Sequence, residues 1–193
     1  MSLLFKITLR GSSKPPIWRK VLIDESASFE TLHRAIQVSF GWDDYHLWEF
    51  SARPYGEPRI GPSGDADPFG IGWEDDEVED ASNVLLSEVF QRPKDQFSYV
   101  YDMGDGWEHR VLLEKILDDP APFPQCVAGK GACPPEDCGG IYGYYGLVEA
   151  VNDPKNSEYE EMREWLGMEE GETWDVHAFD LAETQADMKK VFA

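Results

Sequence analysis

Between Leu3 and Phe40 the apolar residues change their spacing once, and that change restricts the fold more than any other feature of the chain. In "LLFKITLR", Leu3, Phe5, Ile7 and Leu9 fall on one side and Lys6, Thr8 and Arg10 on the other. A period of two sends successive side chains to opposite faces, so this segment reads as a half-buried strand. "GSSKPP" is a turn-rich connection, and "IWRKVLI" (Ile17–Ile23) reads as a second strand hairpinned to the first. After Ser28 the spacing turns helical, with Leu32, Ala35, Ile36, Ser39 and Phe40 at i, i+3, i+4, i+7 and i+8. Ser28 suits the N-cap and Gly41 the position after the last turn. "HLWEFSA" (His46–Ala52) returns to strand.

The stretch Arg53–Ala81 is rich in Gly, Pro and Asp and is expected to be an acidic surface excursion. "NVLLSEVF" suggests a short helical turn. "FSYVYD" (Phe97–Asp102) and "WEHRVLLEKIL" (Trp107–Leu117) are strands joined through "MGDG", with Gly104 and Gly106 supplying positive φ. Helices are expected at Tyr144–Val151, Ser157–Leu166 and Leu181–Phe192. The second opens on Ser157 and Glu160 at capping-box spacing and stops at Gly167. The whole reads as α+β: a mixed β-sheet with a β-grasp-like β-β-α-β start, then a hairpin, a Cys/Pro/Gly loop and C-terminal helices. Residues 1–193 are expected to form one domain, 149–193 being its acidic helical part.

Charge narrows the functional classes. The chain carries 38 Asp and Glu against 17 Lys and Arg, a net charge of −21. Nucleic-acid binders draw affinity from cations that neutralise phosphates, so direct binding to DNA or RNA is disfavoured unless a patch near Lys14, Arg19 and Lys20 supplies it. Anionic membrane surfaces are disfavoured on the same ground. No apolar run approaches the roughly 20 residues needed to span a bilayer. The start "MSLLFKITLR" lacks the apolar core of a signal peptide. Three cysteines, an odd number without a secretory signal, are expected to be thiols in the cytoplasm.

Two segments concentrate chemistry. In "FSYVYDMGDGWEHRV" the strand faces hold Tyr101, Trp107 and His109, with Asp102 and Asp105 at the turn. His109 beside either carboxylate would be a general base or a metal ligand. The competing and favoured reading has the carboxylates capping turn N–H groups and the aromatics pairing across strands. In "CVAGKGACPPEDCGG" the spacing is C-x6-C-x4-C. Zinc is the one cofactor these residue types suggest, at Cys126, Cys133 and Cys138 with His109, or His46, as fourth ligand. Close Cys pairs are missing, so a rigid loop is the preferred reading. Pro134 and Pro135 restrict φ, Glu136 and Asp137 accept N–H bonds, and Gly139 and Gly140 permit tight passage.

"KPPIWRKVLI", "FETLHRAIQVSFGWDDYHLWEF", "FSYVYDMGDGWEHRVLLEK" and "CVAGKGACPPEDCGGIYGY" occur in that order. Together they resemble the root-inducing-plasmid (pRiA) ORF-three-like family, whose members include insertion-element passengers with a resolvase-like label. The resemblance implies a compact α+β domain and no established activity. Its hallmark residues fall on Pro16, Trp18, His46, Tyr101, Asp102, Gly104, Asp105, Trp107, His109, Pro134, Pro135, Glu136, Asp137, Gly139, Gly140 and Tyr144. The resolvase label lacks recombinase motifs to support it. The leading expectation is a non-enzymatic interaction or regulatory module with a protein partner, reading through the Tyr101–His109 hairpin and the Cys126–Tyr144 loop. The rivals are a metal-dependent hydrolase-type enzyme and an accessory factor in mobile-element recombination.

Overall fold

The computed structural model describes residues 1–62 and 78–193. The strands are β1 (Ser2–Leu9), β2 (Trp18–Asp24), β3 (Trp48–Ser51), β4 (Arg59–Gly61), β5 (Val78–Asp80), β6 (Gln96–Tyr101), β7 (Trp107–Leu117) and β8 (Gln125–Lys130). The helices are α1 (Phe29–Phe40), α2 (Leu86–Val89), α3 (Gly140–Asn152), α4 (Tyr159–Trp165) and α5 (Leu181–Phe192). Among the described residues the eight strands join one sheet in the order β5-β4-β3-β6-β7-β1-β2-β8, antiparallel except between β4 and β5. The α+β class with a mixed sheet follows. The β-β-α-β order is present at the start, with β6 and β7 inserted between β1 and β3.

Alternation on the long strands makes one sheet face the core. Phe50, Tyr99, His109 and Leu9 lie side by side across β3, β6, β7 and β1. Helix α1 covers this face with Phe29, Leu32, Ala35, Ile36 and Phe40. Its N-cap is Ser28, whose hydroxyl accepts from Thr31 N at 3.3 Å, and Gly41 ends it in the left-handed region. Phe29 meets Phe50 edge-on at 5.1 Å and stacks on Phe90 at 5.9 Å, which fixes the helix over the sheet. Behind β8, α5 inserts Met188, and Gln185 Nε2 donates to Cys126 O at 3.2 Å.

Four expectations are corrected. The excursion from Arg53 to Ala81 contributes β4 and β5 to the sheet edge, while its stretch 63–77 lies outside the described residues. The cysteine segment is not loop throughout, because Gln125–Lys130 pairs with β2 as an outer strand. Helix α3 begins at Gly140, a turn before the expected start, since tertiary contacts override the poor helix propensity of its glycines. Ser157 does not cap α4; Asn156 Oδ1 takes Glu158 N at 2.9 Å instead.

The basic patch also dissolves. Arg19 points into the core and is 3% exposed. Lys20 pairs with Glu114 at 2.6 Å, and Lys14 stands exposed. No helix among the described residues is long and apolar enough to cross a membrane.

A Cβ added at Gly143, in the first turn of α3, would lie 1.8 Å from Cys138 O. Gly143→Ala is therefore expected to lose about 1–3 kcal/mol as that turn is pushed from the loop. A urea melt reads this directly. Gly146→Ala, where no atom lies within 4 Å of the added Cβ, should be neutral or slightly stabilising.

Candidate functional site

The turn between β6 and β7 and the loop before α3 hold each other in place. Asp102 adopts φ 56° and folds its Oδ1 back to accept Gly104 N at 2.9 Å and Asp105 N at 3.3 Å. Its carbonyl accepts from Gly106 N at 2.7 Å. The positive φ values thus belong to Asp102 and Gly106 (66°) rather than to Gly104. At Gly104 a Cβ would make a tight contact, 3.2 Å from Asp102 Oδ1. Asp105 Oδ2 reaches across to Gly139 N at 3.0 Å, and Gly140 passes so close that a Cβ would be 2.4 Å from Asp105 O.

A second set of bonds runs beside the first. The Tyr101 hydroxyl donates to Glu136 Oε1 and accepts from Tyr45 N at 3.1 Å. Glu136 Oε2 accepts from Asp43 N at 3.0 Å. Burial first, and the Glu136 carboxylate second, push the Tyr101 hydroxyl far above its ordinary range, which keeps it protonated as the donor. Trp42 stacks on Tyr101 at 5.1 Å and donates its indole N–H to Pro134 O at 3.0 Å. Pro134 and Tyr144 are buried, and the Tyr144 hydroxyl accepts from the Trp174 indole at 3.2 Å. Trp107 packs beneath Trp42 with ring centres 5.8 Å apart. Pro135, half-buried, rims a shallow depression beside Trp42 and Trp174.

The structure does not bring together Cys126, Cys133, Cys138 and His109. Cys126 is buried on β8, and Cys133 and Cys138 are half-buried in the loop; all three are free thiols. Burial pushes the Cys138 thiol up to about 12 and raises Cys126 and Cys133 too. His109 stands in the core with no exposure, edge-on to Phe40 at 4.9 Å and Trp42 at 5.4 Å. Burial brings its imidazole down to about 3. It is held neutral away from solvent and is in no position to serve as a base for a bound molecule.

What does converge was only half legible. Among the described residues one group of three His, Cys, Asp or Glu side chains gathers its ligand atoms within 4.8 Å: His46, Asp102 and Asp137. His46 Nε2 lies 3.3 Å from Asp137 Oδ1 and 3.8 Å from Asp102 Oδ2. His46 and Asp102 also line a cleft of about 560 Å³, together with Glu30, His33, Arg34, Asp44, Trp48 and Asp80. Its floor is His33 stacked on Trp48 at 3.9 Å. Gln37 donates to the Tyr99 hydroxyl at 2.9 Å, so that hydroxyl donates to His33 Nδ1 at 2.8 Å and Nε2–H faces Asp44 at 2.9 Å. Burial lowers the pKa of His33, and Asp44 partly opposes the shift. The sequence signal for this cleft is faint: His33 reads as a structural or solvated residue of the amphipathic helix, and Asp44 is not singled out by any motif.

A family model described as plasmid pRiA4b ORF-3-like protein matches residues 2–183. The uncharacterised protein y4hQ of Sinorhizobium fredii (strain NGR234) is 34% identical over 168 residues, covering 84% of this chain and 79% of that protein. The crystal structure of MM3350, a protein of unknown function from Methanosarcina mazei Go1, superposes with a TM-score of 0.76 at 34% identity. That likeness covers 94% of this chain and 96% of the other.

Proposed function

The chain belongs to the plasmid pRiA4b ORF-3-like family, and from that premise we propose that it is a non-enzymatic interaction module whose cleft receives a basic segment of a protein partner. One observation carries the reading. Among the described residues, Glu30, Asp44, Asp80 and Asp102 line a single cleft in which Arg34 is the one arginine or lysine of the lining. A lysine or arginine side chain entering there would meet opposite charge on several sides and the His33–Trp48 aromatic floor beneath. Tyr45 stands at the rim, 73% exposed, in the manner of residues that anchor protein contacts. The turn–loop interlock is consistent with such a role, because it gives the Asp102 side of the cleft a fixed shape before any partner arrives.

A labelled peptide alternating lysine and glycine tests this by fluorescence polarisation at about 0.1 M salt, where the Debye length is about 10 Å. It should bind, and Glu30→Gln with Asp44→Asn should weaken it about tenfold, equivalent to about 1.4 kcal/mol. Glu183→Gln with Asp187→Asn removes the same charge from α5, outside the cleft lining, and should weaken binding by less than about threefold, because surface charges that do not contact the peptide are partly screened at that salt. Equal losses for the two pairs, or no binding, would sink the cleft as a recognition site.

A further inference from the structure

We propose that His46, Asp102 and Asp137 form a binding site for a divalent first-row transition-metal ion of the zinc or manganese class. The three ligand atoms come from three separate segments: the chain entering β3, the β6–β7 turn, and the loop before α3. Metal–ligand distances of about 2.0–2.2 Å put neighbouring ligands of one ion roughly 3–4 Å apart. The separations of 3.3 and 3.8 Å from His46 Nε2 to the two carboxylates fall in that range.

A second observation, independent of the grouping, concerns His46 itself. Its Nε2 atom is shut off from solvent and makes no hydrogen bond among the described residues, although two carboxylate oxygens flank it. A ring nitrogen satisfied by an ordinary imidazole–carboxylate bond would be aligned on one oxygen. Here it lies 3.3 Å from one oxygen and 3.8 Å from the other with a hydrogen bond to neither, and a cation among them would satisfy all three atoms at once.

The surroundings hold the ligands in this arrangement. Asp102 spends Oδ1 on Gly104 N and Asp105 N, which leaves Oδ2 for His46. The His46 ring stands edge-on to Tyr101 at 5.7 Å, and Tyr101 is tied to Glu136 and Tyr45 N. Asp137 follows Glu136 directly, and the bonds from Glu136 to Asp43 N and from Gly139 N to Asp105 pin its loop on both sides. Outer-shell bonds of this kind orient metal ligands and raise affinity. The two interlocked segments thus carry two of the ligands and hold them beside the third.

One imidazole with two carboxylates suits zinc or manganese over the softer ions that select thiolates. Three protein ligands leave coordination positions open, and Asp137, its side chain 69% exposed, puts them toward solvent. His46 and Asp102 also border the cleft, so the ion would lie at its edge.

Isothermal titration calorimetry decides the matter on the full chain, stripped with EDTA, dialysed, and titrated with zinc chloride and separately with manganese chloride. One equivalent of at least one ion should bind. His46→Ala and Asp137→Asn, the latter an exposed position where asparagine tolerates the left-handed backbone, should each weaken it at least about tenfold. Cys133→Ser with Cys138→Ser should leave it unchanged. Absence of saturable binding by both ions, binding that survives His46→Ala and Asp137→Asn, or binding lost only with the cysteines overturns the site. Running the lysine-peptide assay on metal-free protein separates this result from the cleft reading, since each can fail while the other stands.

Discussion

Arg19→Leu is expected to lower the unfolding free energy by about 3–5 kcal/mol, and Arg19→Lys to recover less than half of that loss. Arg19 occupies a core-facing position of β2, where alternation would place an apolar residue, and is 3% exposed. Its Nε donates to Ser39 O at 2.7 Å, Nη1 to Trp18 O and Lys130 O at 3.0 Å each, and Nη2 to Gly131 O at 3.1 Å. Phe40 and Phe179 face the guanidinium at 5.0 and 4.2 Å. The side chain therefore joins β2, the end of α1, the end of β8 and the segment leading to α5. Leucine would leave these carbonyls without the donors that satisfy them, at a cost of about 1–3 kcal/mol for a buried group. Lysine keeps the charge, but a single ammonium cannot reproduce a planar fork that reaches three elements. Urea unfolding at pH 7 checks both variants. A lysine variant within about 0.5 kcal/mol of wild type would mean that charge alone, rather than the fork, matters here.

Arg19 also shows where pattern reading stops. Its neighbours Val21 and Ile23 announce the core face, yet an arginine in that alternation reads as a surface residue until three of its acceptors, on Ser39, Lys130 and Gly131, are assembled from distant segments. Strands β1, β2 and β7 and helices α1 and α5 were legible because each is long enough for its apolar period to repeat. The three-residue strands β4 and β5 repeat nothing, and β8, "QCVAGK", includes Gly129, against which Phe179 packs so closely that a Cβ would meet it at 2.4 Å. Such edge strands are recruited by the strands beside them rather than by their own composition.

The site divides the same way. Acidic turn residues and glycines in "YDMGDGWEH" and "PPEDCGG" pointed to the interlocking pieces, because Asp side chains readily accept turn N–H groups. The convergence of His46 on Asp102 follows from strand register: Trp48 lies opposite Tyr101, so Leu47 meets Asp102, and His46 arrives beside it. Asp137 arrives because Glu136 bonds to Tyr101 and Asp43 on one side of it and Gly139 to Asp105 on the other. No local spacing encodes either event. His109 attracted attention through its position near two acids, but strand alternation puts it on the core face, away from both Asp102 and the thiols.

That burial has a measurable consequence in acid. A histidine in the unfolded chain takes up its proton near pH 6.5. In the folded protein His109 resists protonation until about pH 3, first because burial excludes the imidazolium and further because the Arg19 cation is near. Above pH 6.5 neither state binds the proton, and His109 adds nothing to the pH dependence. As pH falls from 6.5 toward 3 the unfolded state gains a proton that the folded state refuses. Stability is lost over that window at up to about 1.4 kcal/mol per pH unit from this residue, or about 4–5 kcal/mol by pH 3. His109→Phe keeps a ring against Phe40, Trp42 and Tyr99 and removes the titration. It also removes two buried ring nitrogens that have no hydrogen-bond partner among the described residues, so stability at pH 7.5 should hold or rise. Urea unfolding of both proteins at pH 7.5, 6, 5 and 4 should give curves that separate progressively below pH 6.5, with the variant the more stable. Because the carboxylates and His33 titrate alike in the two proteins, the gap isolates His109, and parallel curves would show that its imidazole is already charged, or reaches water, in the folded state.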